Sequence, residues 1–420
     1  METIPLLPAL VKHTAEREWE ETSASTLSKL LGLAEFKVTH FEVEGRKLHL
    51  KCEHREQVAI CPGCRELSTK LHQCKEREVR DLSIMGRRVI LHFPNRRFWC
   101  ECCKSPFTER LASIDWRRRQ TRRYEYCIYK QCLDSDRKAV AEREGLSQST
   151  VKDIFIKWAK RETSHTLVSS VRVLGIDEIS LKKRHKQYAL VLSDLEKHCV
   201  IAILPDRKKE TLIGWLKTLS ETERRAIRVV STDLWEPYRQ AIRQVLPWAQ
   251  QVADRFHVMK QLNGRLSQAR RALQKQADEA TREILKGSRW VLLKSRDDLL
   301  PKEEAKLQAV LNASPELRTM YLLKEEFRTI CDKVQTREQA ARFLLAWICK
   351  VKFTGNPRLL KFVNTLCNWW DEFLNYFIDR VSQGFVEGIN NAIRTIIRRA
   401  YGFHNFDYFR LHVLAQHGGS

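Results

Sequence analysis

Three groups of side chains in this sequence could do chemistry. The first is a set of cysteines in two knuckles, Cys61-Pro-Gly-Cys64 and Cys100-Glu-Cys-Cys103. A Cys-x-x-Cys turn presents two thiolates to one tetrahedral zinc ion. Two such turns close a four-thiolate shell with no open position, which makes a structural site rather than a catalytic one. The ligands are Cys61, Cys64, Cys100 and Cys103, with Cys102 able to replace Cys103. Cys52 and Cys74 read as buried thiols.

The second group is acidic. Asp177 ends the apolar run Val171 to Ile176, and Asp233 follows the run Ile227 to Val230. Carboxylates at strand ends can converge on one sheet edge and share two hard, oxygen-seeking cations. Such ions, roughly 4 Å apart, activate an attacking oxygen and stabilise a leaving one in phosphodiester chemistry. Taken singly, a strand-end Asp is more often a turn or cap residue. Glu387 gives a sharper pattern. On a helical wheel through residues 384–399, Glu387, Asn391, Arg394 and Arg398 fall on one face, and Phe385, Ile389, Ile393 and Ile396 fall opposite. A carboxylate beside an amide and two guanidiniums suits a metal ligand next to DNA phosphates. Among the rival acids, Glu178 should point to the other side of its strand from Asp177. Asp194 and Asp206 flank strands without a similar setting. Asp254 and His257, in Asp-Arg-Phe-His, read either as support for the acids or as a helix cap packed on the core.

The third group is cationic. Residues 86–130 are rich in Lys and Arg, interleaved with Trp99, Trp116, Tyr124 and Tyr126. Arg117, Arg118, Arg119, Arg122 and Arg123 form the densest run. Such cations neutralise phosphates and release counterions, giving salt-sensitive, sequence-blind affinity. Residues 136–160 then read as a helix-turn-helix. Val140 and Ala141 lie on its first helix, Gly145 makes the turn, Ser147 caps the second helix, and Val151, Ile154 and Phe155 face inward. Gln148, Ser149 and Lys152 are left at the exposed start of the second helix, where recognition helices touch base edges.

The elements that must position these groups change along the chain. At 420 residues, two or three domains are expected. Residues 1–25 read as a polar extension, 26–108 as a strand-rich zinc-binding domain, and 109–165 as a basic helical DNA-binding domain. Strands interleave with helices over 166–257, which indicates an α/β domain. Residues 258–380 are long helical patterns, with Trp290, Trp347, Trp369 and Trp370 expected to anchor their packing. Residues 381–420 hold the final helices. Lys plus Arg (75) exceed Asp plus Glu (52), a net charge of +23, so the partner is a polyanion. Nucleic acid fits better than membrane, because no apolar run approaches the roughly 18 residues of a spanning helix. The short apolar stretch Ile4 to Val11 lacks a basic lead and a cleavage site, so a signal peptide is rejected. Thirteen cysteines, an odd number, point to metal ligands and buried thiols in a reducing cytoplasm.

The motifs together resemble those of the ISL3 family of bacterial insertion-sequence transposases. The matching stretches are Leu30-Leu-Gly-Leu33, Cys61-Pro-Gly-Cys64, Arg96-Arg-Phe-Trp-Cys100 with Cys103, Leu174-Gly-Ile-Asp-Glu178, Ser231-Thr-Asp-Leu-Trp235, Asp254-Arg-Phe-His-Val258, and Gly384-Phe-Val-Glu-Gly-Ile-Asn-Asn391 continuing to Tyr401-Gly-Phe403. The resemblance implies a zinc-binding domain, a helix-turn-helix, and a ribonuclease-H-like catalytic domain interrupted by an all-helical insertion. It maps a catalytic acidic triad, binding two Mg²⁺ or Mn²⁺ ions, onto Asp177, Asp233 and Glu387, and an Asp-x-x-His element onto Asp254 and His257. The extra Cys102 and the first 25 or so residues depart from its pattern. It implies DNA as partner (terminal inverted repeats and target), a homo-oligomer on that DNA, and a cytoplasmic, nucleoid-associated protein. Two alternatives are a non-catalytic DNA-binding regulator and a ribonuclease-H-like nuclease without strand transfer.

Overall fold

The computed structural model describes residues 23–164, 171–182, 187–380, 384–403 and 405–419. The extension expected over 1–25 lies outside the described residues up to 22, and 23–25 open a helix, α1 (23–31). The chain divides into two units, Met1–Trp158 and Ala159–Ser420.

Alternating burial builds the sheet of the first unit. Its strands are β1 (Phe36–Glu44), β2 (Lys47–His54), β3 (Ala59–Ile60), β4 (Leu67–Ser68), β5 (Leu71–Ile84), β6 (Arg87–Cys100) and β7 (Ser105–Thr108). Leu48 and Leu50 on β2, with Val89, Leu91 and Phe93 on β6, turn one face into a core closed by Leu31. The order is β1-β2-β6-β5, with β7 on β6 and β3 paired with β4 as a separate ribbon. Cys52 is buried as expected, but Cys74 is exposed. It lies in the outer half of β5, where Leu71 to Arg77 carries no buried residue. Three helices follow: α2 (Arg122–Asp134), α3 (Arg137–Glu144) and α4 (Gln148–Thr163).

The second unit opens on β8 (Val173–Lys182), β9 (Gln187–Asp194), β10 (Cys199–Leu204), α5 (Lys209–Thr218), α6 (Glu221–Ala226), β11 (Val229–Thr232), α7 (Glu236–Val245) and β12 (Gln250–Ala253). The sheet order is β10-β9-β8-β11-β12. The first three strands are antiparallel, and β11 runs parallel to both β8 and β12. Even-numbered residues of β8 (Leu174, Ile176) join Leu212 and Leu216 of α5 and Tyr238 and Ile242 of α7 in one core. The sequence ended the first strand at Ile176. In the structure β8 runs on past Asp177, because β9 still pairs with it there (Asp177 opposite Val191, Ile179 opposite Ala189) after β11 has stopped at Thr232.

Helices fill the rest: α8 (Arg255–Gln276), α9 (Glu279–Leu285), α10 (Arg289–Leu293), α11 (Pro301–Ala313), α12 (Pro315–Lys333), α13 (Arg337–Thr354), α14 (Pro357–Asn368), α15 (Trp370–Asp379), α16 (Gly384–Arg399) and α17 (Phe406–His417). Trp347 and Trp369 are buried in this block as expected. Trp290 is 65% exposed and anchors nothing, because Val291 and Leu292 take the inward positions of its short helix. The block is tied to the sheet by Glu372 of α15, which accepts from Arg239 (3.0 Å) and Arg243 (3.1 Å) of α7. The Asn375 amide also donates to the Gln251 carbonyl on β12 at 2.8 Å. Helices α16 and α17 cover the other sheet face: Ile389, Ile393 and Ile396 pack with Ile179, Val191 and Val413.

Candidate functional site

Strand register sets the acids. Ile176 on β8 pairs with Thr232 on β11, and Thr232 pairs with Ala253 on β12. Asp177, Asp233 and Asp254 each come one residue later, so three carboxylates stand in a row at one edge of three adjacent strands. Asp177 is fixed at both oxygens. The Glu178 N–H donates to Oδ1 at 2.8 Å, and the Asn390 amide donates to Oδ2 at 2.5 Å. Asn390 is buried on α16, and Glu387 lies three residues before it, one turn away on the same helix. Glu387, Asn391, Arg394 and Arg398 are all exposed, as the wheel required. Asn391, however, accepts from Arg394 at 2.8 Å, so the amide that reaches the sheet is its neighbour. The signal for Asn390 was a polar residue on the Ile stripe.

Asp254 is the helix cap that one of the two sequence readings expects. It caps α8 through the Phe256 N–H (3.1 Å), and its other oxygen meets His257 Nδ1 at 2.8 Å. Burial would lower the His257 pKa, but the hydrogen bond to Asp254 and the charges of Asp254, Asp177 and Asp233 hold it above the ordinary value. The rival acids all have structural partners. Glu178 accepts from Tyr238 Oη (2.8 Å) and Arg207 (3.1 Å) on the other face. Asp194 holds a turn through the N–H groups of Glu196 and Lys197, and Asp206 accepts from Lys208 N at the start of α5.

The electrostatics favour a cation. Burial, then the charges of Glu178, Asp177 and Asp254, push Asp233 up to about 7, and its buried Oδ1 has no hydrogen-bond partner. Burial also raises Asp177. A divalent metal would relieve both, and the donors are the hard oxygens such an ion takes. Metal-free protein should therefore lose stability as pH rises. Asp233 carries a proton in the folded state that the unfolded chain, with an ordinary carboxyl near 4, has released. The cost is absent below about pH 4 and complete above about 7. Asp233→Asn should thus raise the melting temperature of metal-free protein at pH 8 by several degrees, on the order of 1–3 kcal/mol after allowing for solvent screening. The gain should shrink at pH 5.5. Equal melting points for variant and wild type at pH 8 would refute this account.

In the first unit the four sulfurs of Cys61, Cys64, Cys100 and Cys103 lie within 4.8 Å of one another. The Cys61–Cys103 and Cys64–Cys100 separations are 3.8 and 3.4 Å. Sulfurs placed tetrahedrally around zinc stand about 3.8 Å apart, given Zn–S near 2.3 Å. The Cys64 backbone N–H draws the Cys61 thiol down to about 7, whereas the neighbouring sulfurs of Cys64 and Cys61 push Cys103 up to about 12. Four thiolates this close need a cation, and the donor set fits zinc. Cys102 is exposed and outside the cluster, so Cys103 is the fourth member.

The helical hairpin forms as its turn chemistry dictates. Gly145 ends α3 with φ +66°, and the Ser147 hydroxyl accepts from the Thr150 N–H at 3.1 Å. Gln148 and Ser149 are exposed and Lys152 is half-buried at the start of α4. The arginine run divides. Arg118 donates to buried Glu125 at 2.5 Å, Arg123 pairs with buried Asp81, and Arg122 donates to Asp115 at 2.6 Å. These three brace α2, and Arg117 and Arg119 are the exposed members that have no acidic partner among the described residues. Counting arginines in the sequence missed the acids that hold them: Asp81 lies 42 residues from Arg123.

Known proteins give the class. The family model described as "Transposase" matches residues 174–413. The zinc-finger of transposase IS204/IS1001/IS1096/IS1165 matches 57–103, and the helix-turn-helix domain of transposase family ISL3 matches 109–159. Two relatives carry the same assignment. The chain is 31% identical to the transposase for insertion sequence element IS1001 of Bordetella parapertussis, over 90% of this chain and 94% of that one. It is 28% identical to the transposase for IS1557 of Mycobacterium tuberculosis, over 63% and 64%. The protein is a DNA transposase, a DNA-binding enzyme whose chemistry implies a divalent metal. It belongs to transposase family ISL3. No helix among the described residues is long and apolar enough to cross a membrane.

Proposed function

We propose that this transposase cuts and joins DNA at a site made of Asp177, Asp233 and Glu387, with two Mg²⁺ or Mn²⁺ ions. The single observation that carries the reading is the register that sets Asp177 and Asp233 one residue beyond paired neighbours on adjacent parallel strands. The order of three antiparallel strands followed by two parallel ones supports a ribonuclease-H-like domain. Residues 258–380 are then a helical insertion between its second and third acids. When bound, the ions supply Lewis acidity to the attacking and leaving oxygens. The chain's own residues do the rest. Asn390 and the Glu178 N–H aim the Asp177 carboxylate, Asp233 offers a buried oxygen, and Glu387 completes the shell from α16. Asp254 holds Nδ1 of His257, which leaves Nε2 to move a proton or meet a phosphate. Arg394 and Arg398 extend the exposed face of α16 toward the DNA backbone.

In this reading the first unit binds the terminal inverted repeats, zinc holds the two knuckles together, and a homo-oligomer pairs two ends before attack on target DNA. The protein works in the cytoplasm on the nucleoid. The test supplies two labelled duplexes with Mg²⁺ or Mn²⁺, one intact end and one already cut to expose its 3′-hydroxyl. Cutting of the first and joining of the second to a plasmid support the proposal. Cutting without joining indicates a nuclease, and binding without either indicates a regulator. For the hairpin, Gln148→Ala should relax sequence preference by about 1–3 kcal/mol, while Lys152→Ala should weaken all sequences alike and lower the salt slope by about one. Filter binding across a salt series checks both, and an unchanged slope for Lys152→Ala would remove it from the phosphate contacts.

A further inference from the structure

A cleft of about 930 Å³ in the second unit is lined by Asp254 and Glu387 together with Lys260, Arg271, Arg289 and Trp290. Trp290 is 65% exposed, and leaving an indole in water forgoes the stabilisation its burial would bring. It is nevertheless held firmly. The helix that carries it, α10, is only five residues long, and its last carbonyls would be orphaned. Buried Lys324 of α12 donates to the Leu292 and Lys294 carbonyls, both at 2.9 Å, and Arg328 donates to the Leu293 carbonyl at 3.3 Å. Lys324 is also paired with Glu325 at 2.6 Å, which offsets the cost of burying its ammonium, and from that position it fixes the end of the turn. Val291 and Leu292 fasten the other side in the core. The Arg289 guanidinium lies 4.9 Å from the indole centroid, which brings positive charge to the aromatic surface. Phe256, 49% exposed, is a second aromatic in the cleft.

We propose that Trp290 is a stacking platform for an unpaired base of the DNA strand whose phosphate lies at the acids. The inference rests on the catalytic reading for where that phosphate sits, and on the cleft itself for the rest. A flat indole beside guanidinium and ammonium groups matches a nucleobase with its flanking phosphates. It takes any base, because each has a π-face. Paired bases are stacked on each other and must be extruded to reach it, so the cleft prefers single-stranded or opened DNA to closed duplex.

The test uses full-length protein without added Mg²⁺ or Mn²⁺. The probes are a blunt duplex and the same duplex with a single-stranded tail of about eight nucleotides carrying 2-aminopurine. Trp290→Ala should weaken binding of the tailed duplex by about 5- to 100-fold and leave the blunt duplex unchanged. Trp290→Phe should restore most of the loss. Aminopurine fluorescence should be quenched by wild type and not by Trp290→Ala. Unchanged tail binding, or an equal loss on both duplexes, overturns the proposal. So would a Trp290→Phe protein as weak as Trp290→Ala, since a ring of either kind should stack. Binding is read without cleavage, so the two readings fail separately. Lost tail preference in Trp290→Ala with undiminished cutting by Asp233→Asn would sink the catalytic assignment alone. Acid-dependent cutting with no tail preference would sink this one alone.

Discussion

Asp177→Asn, Asp233→Asn and Glu387→Gln should each lower metal-dependent strand cleavage by about 10³-fold or more. The magnitude follows from charge. Each change removes a negative ligand from a site whose work is to hold divalent ions against phosphate oxygens, a role worth several kcal/mol of transition-state stabilisation, and about 1.4 kcal/mol is tenfold in rate. None should unfold the protein. Glu387 is exposed, and Asp177→Asn still offers an oxygen to the Glu178 N–H. Asp233→Asn relieves a buried group that ionises only near 7. Asn390→Ala should have a smaller effect, about 10- to 100-fold, because it loosens the aim of Asp177 without removing a ligand. Raising the metal concentration should recover part of that loss and none of the loss in Asp233→Asn. Cleavage is followed on labelled end-containing duplex, with melting temperature recorded beside it. A variant that keeps wild-type cleavage removes its residue from the site.

The sequence carried what is local, and long-range pairing hid the rest. The Ile stripe of α16 was legible because helical periodicity lies within one segment, and burial of Ile389, Ile393 and Ile396 follows it. The αL turn at Gly145 and the Ser147 cap were legible for the same reason. The extent of β8 was not, because strand length depends on a partner: β9 carries it past Asp177 although its other neighbour stops. Register between β8 and β11 was likewise invisible, so the two aspartates read as ordinary strand ends until Ile176 was paired with Thr232. The ion pairs within the arginine run were hidden for a related reason. Arg123 is neutralised by Asp81 and Arg118 by Glu125, and a local charge count cannot see acids brought in by folding. Trp290 failed by analogy with its neighbours. A tryptophan in a helical block is usually core, but Val291 and Leu292 take the inward positions of this short helix and Lys324 holds its end.

Cys61→Ser, Cys64→Ser, Cys100→Ser or Cys103→Ser should each release one equivalent of zinc, whereas Cys102→Ser should retain it. The difference comes from position: four sulfurs converge within 4.8 Å, and the Cys102 side chain is outside the group. The consequence for the fold should be local. The knuckles join the short β3–β4 ribbon to the end of β6, and the apolar support there among the described residues is a small cluster of Ala59, Phe98 and Phe107 with the cysteines themselves. Two residues per strand cannot hold such a ribbon, so metal ligation is its main stabilisation. The larger sheet has its own core of Phe36, Leu50, Val89, Leu91 and Phe93 and should survive. Amide exchange should accordingly accelerate at residues 59–68 and 98–107 when zinc is chelated, while protection in β2 and the middle of β6 persists. Exchange that rises equally through both regions would show that zinc supports the whole unit. Exchange that rises in neither would remove zinc from the stability of the knuckles.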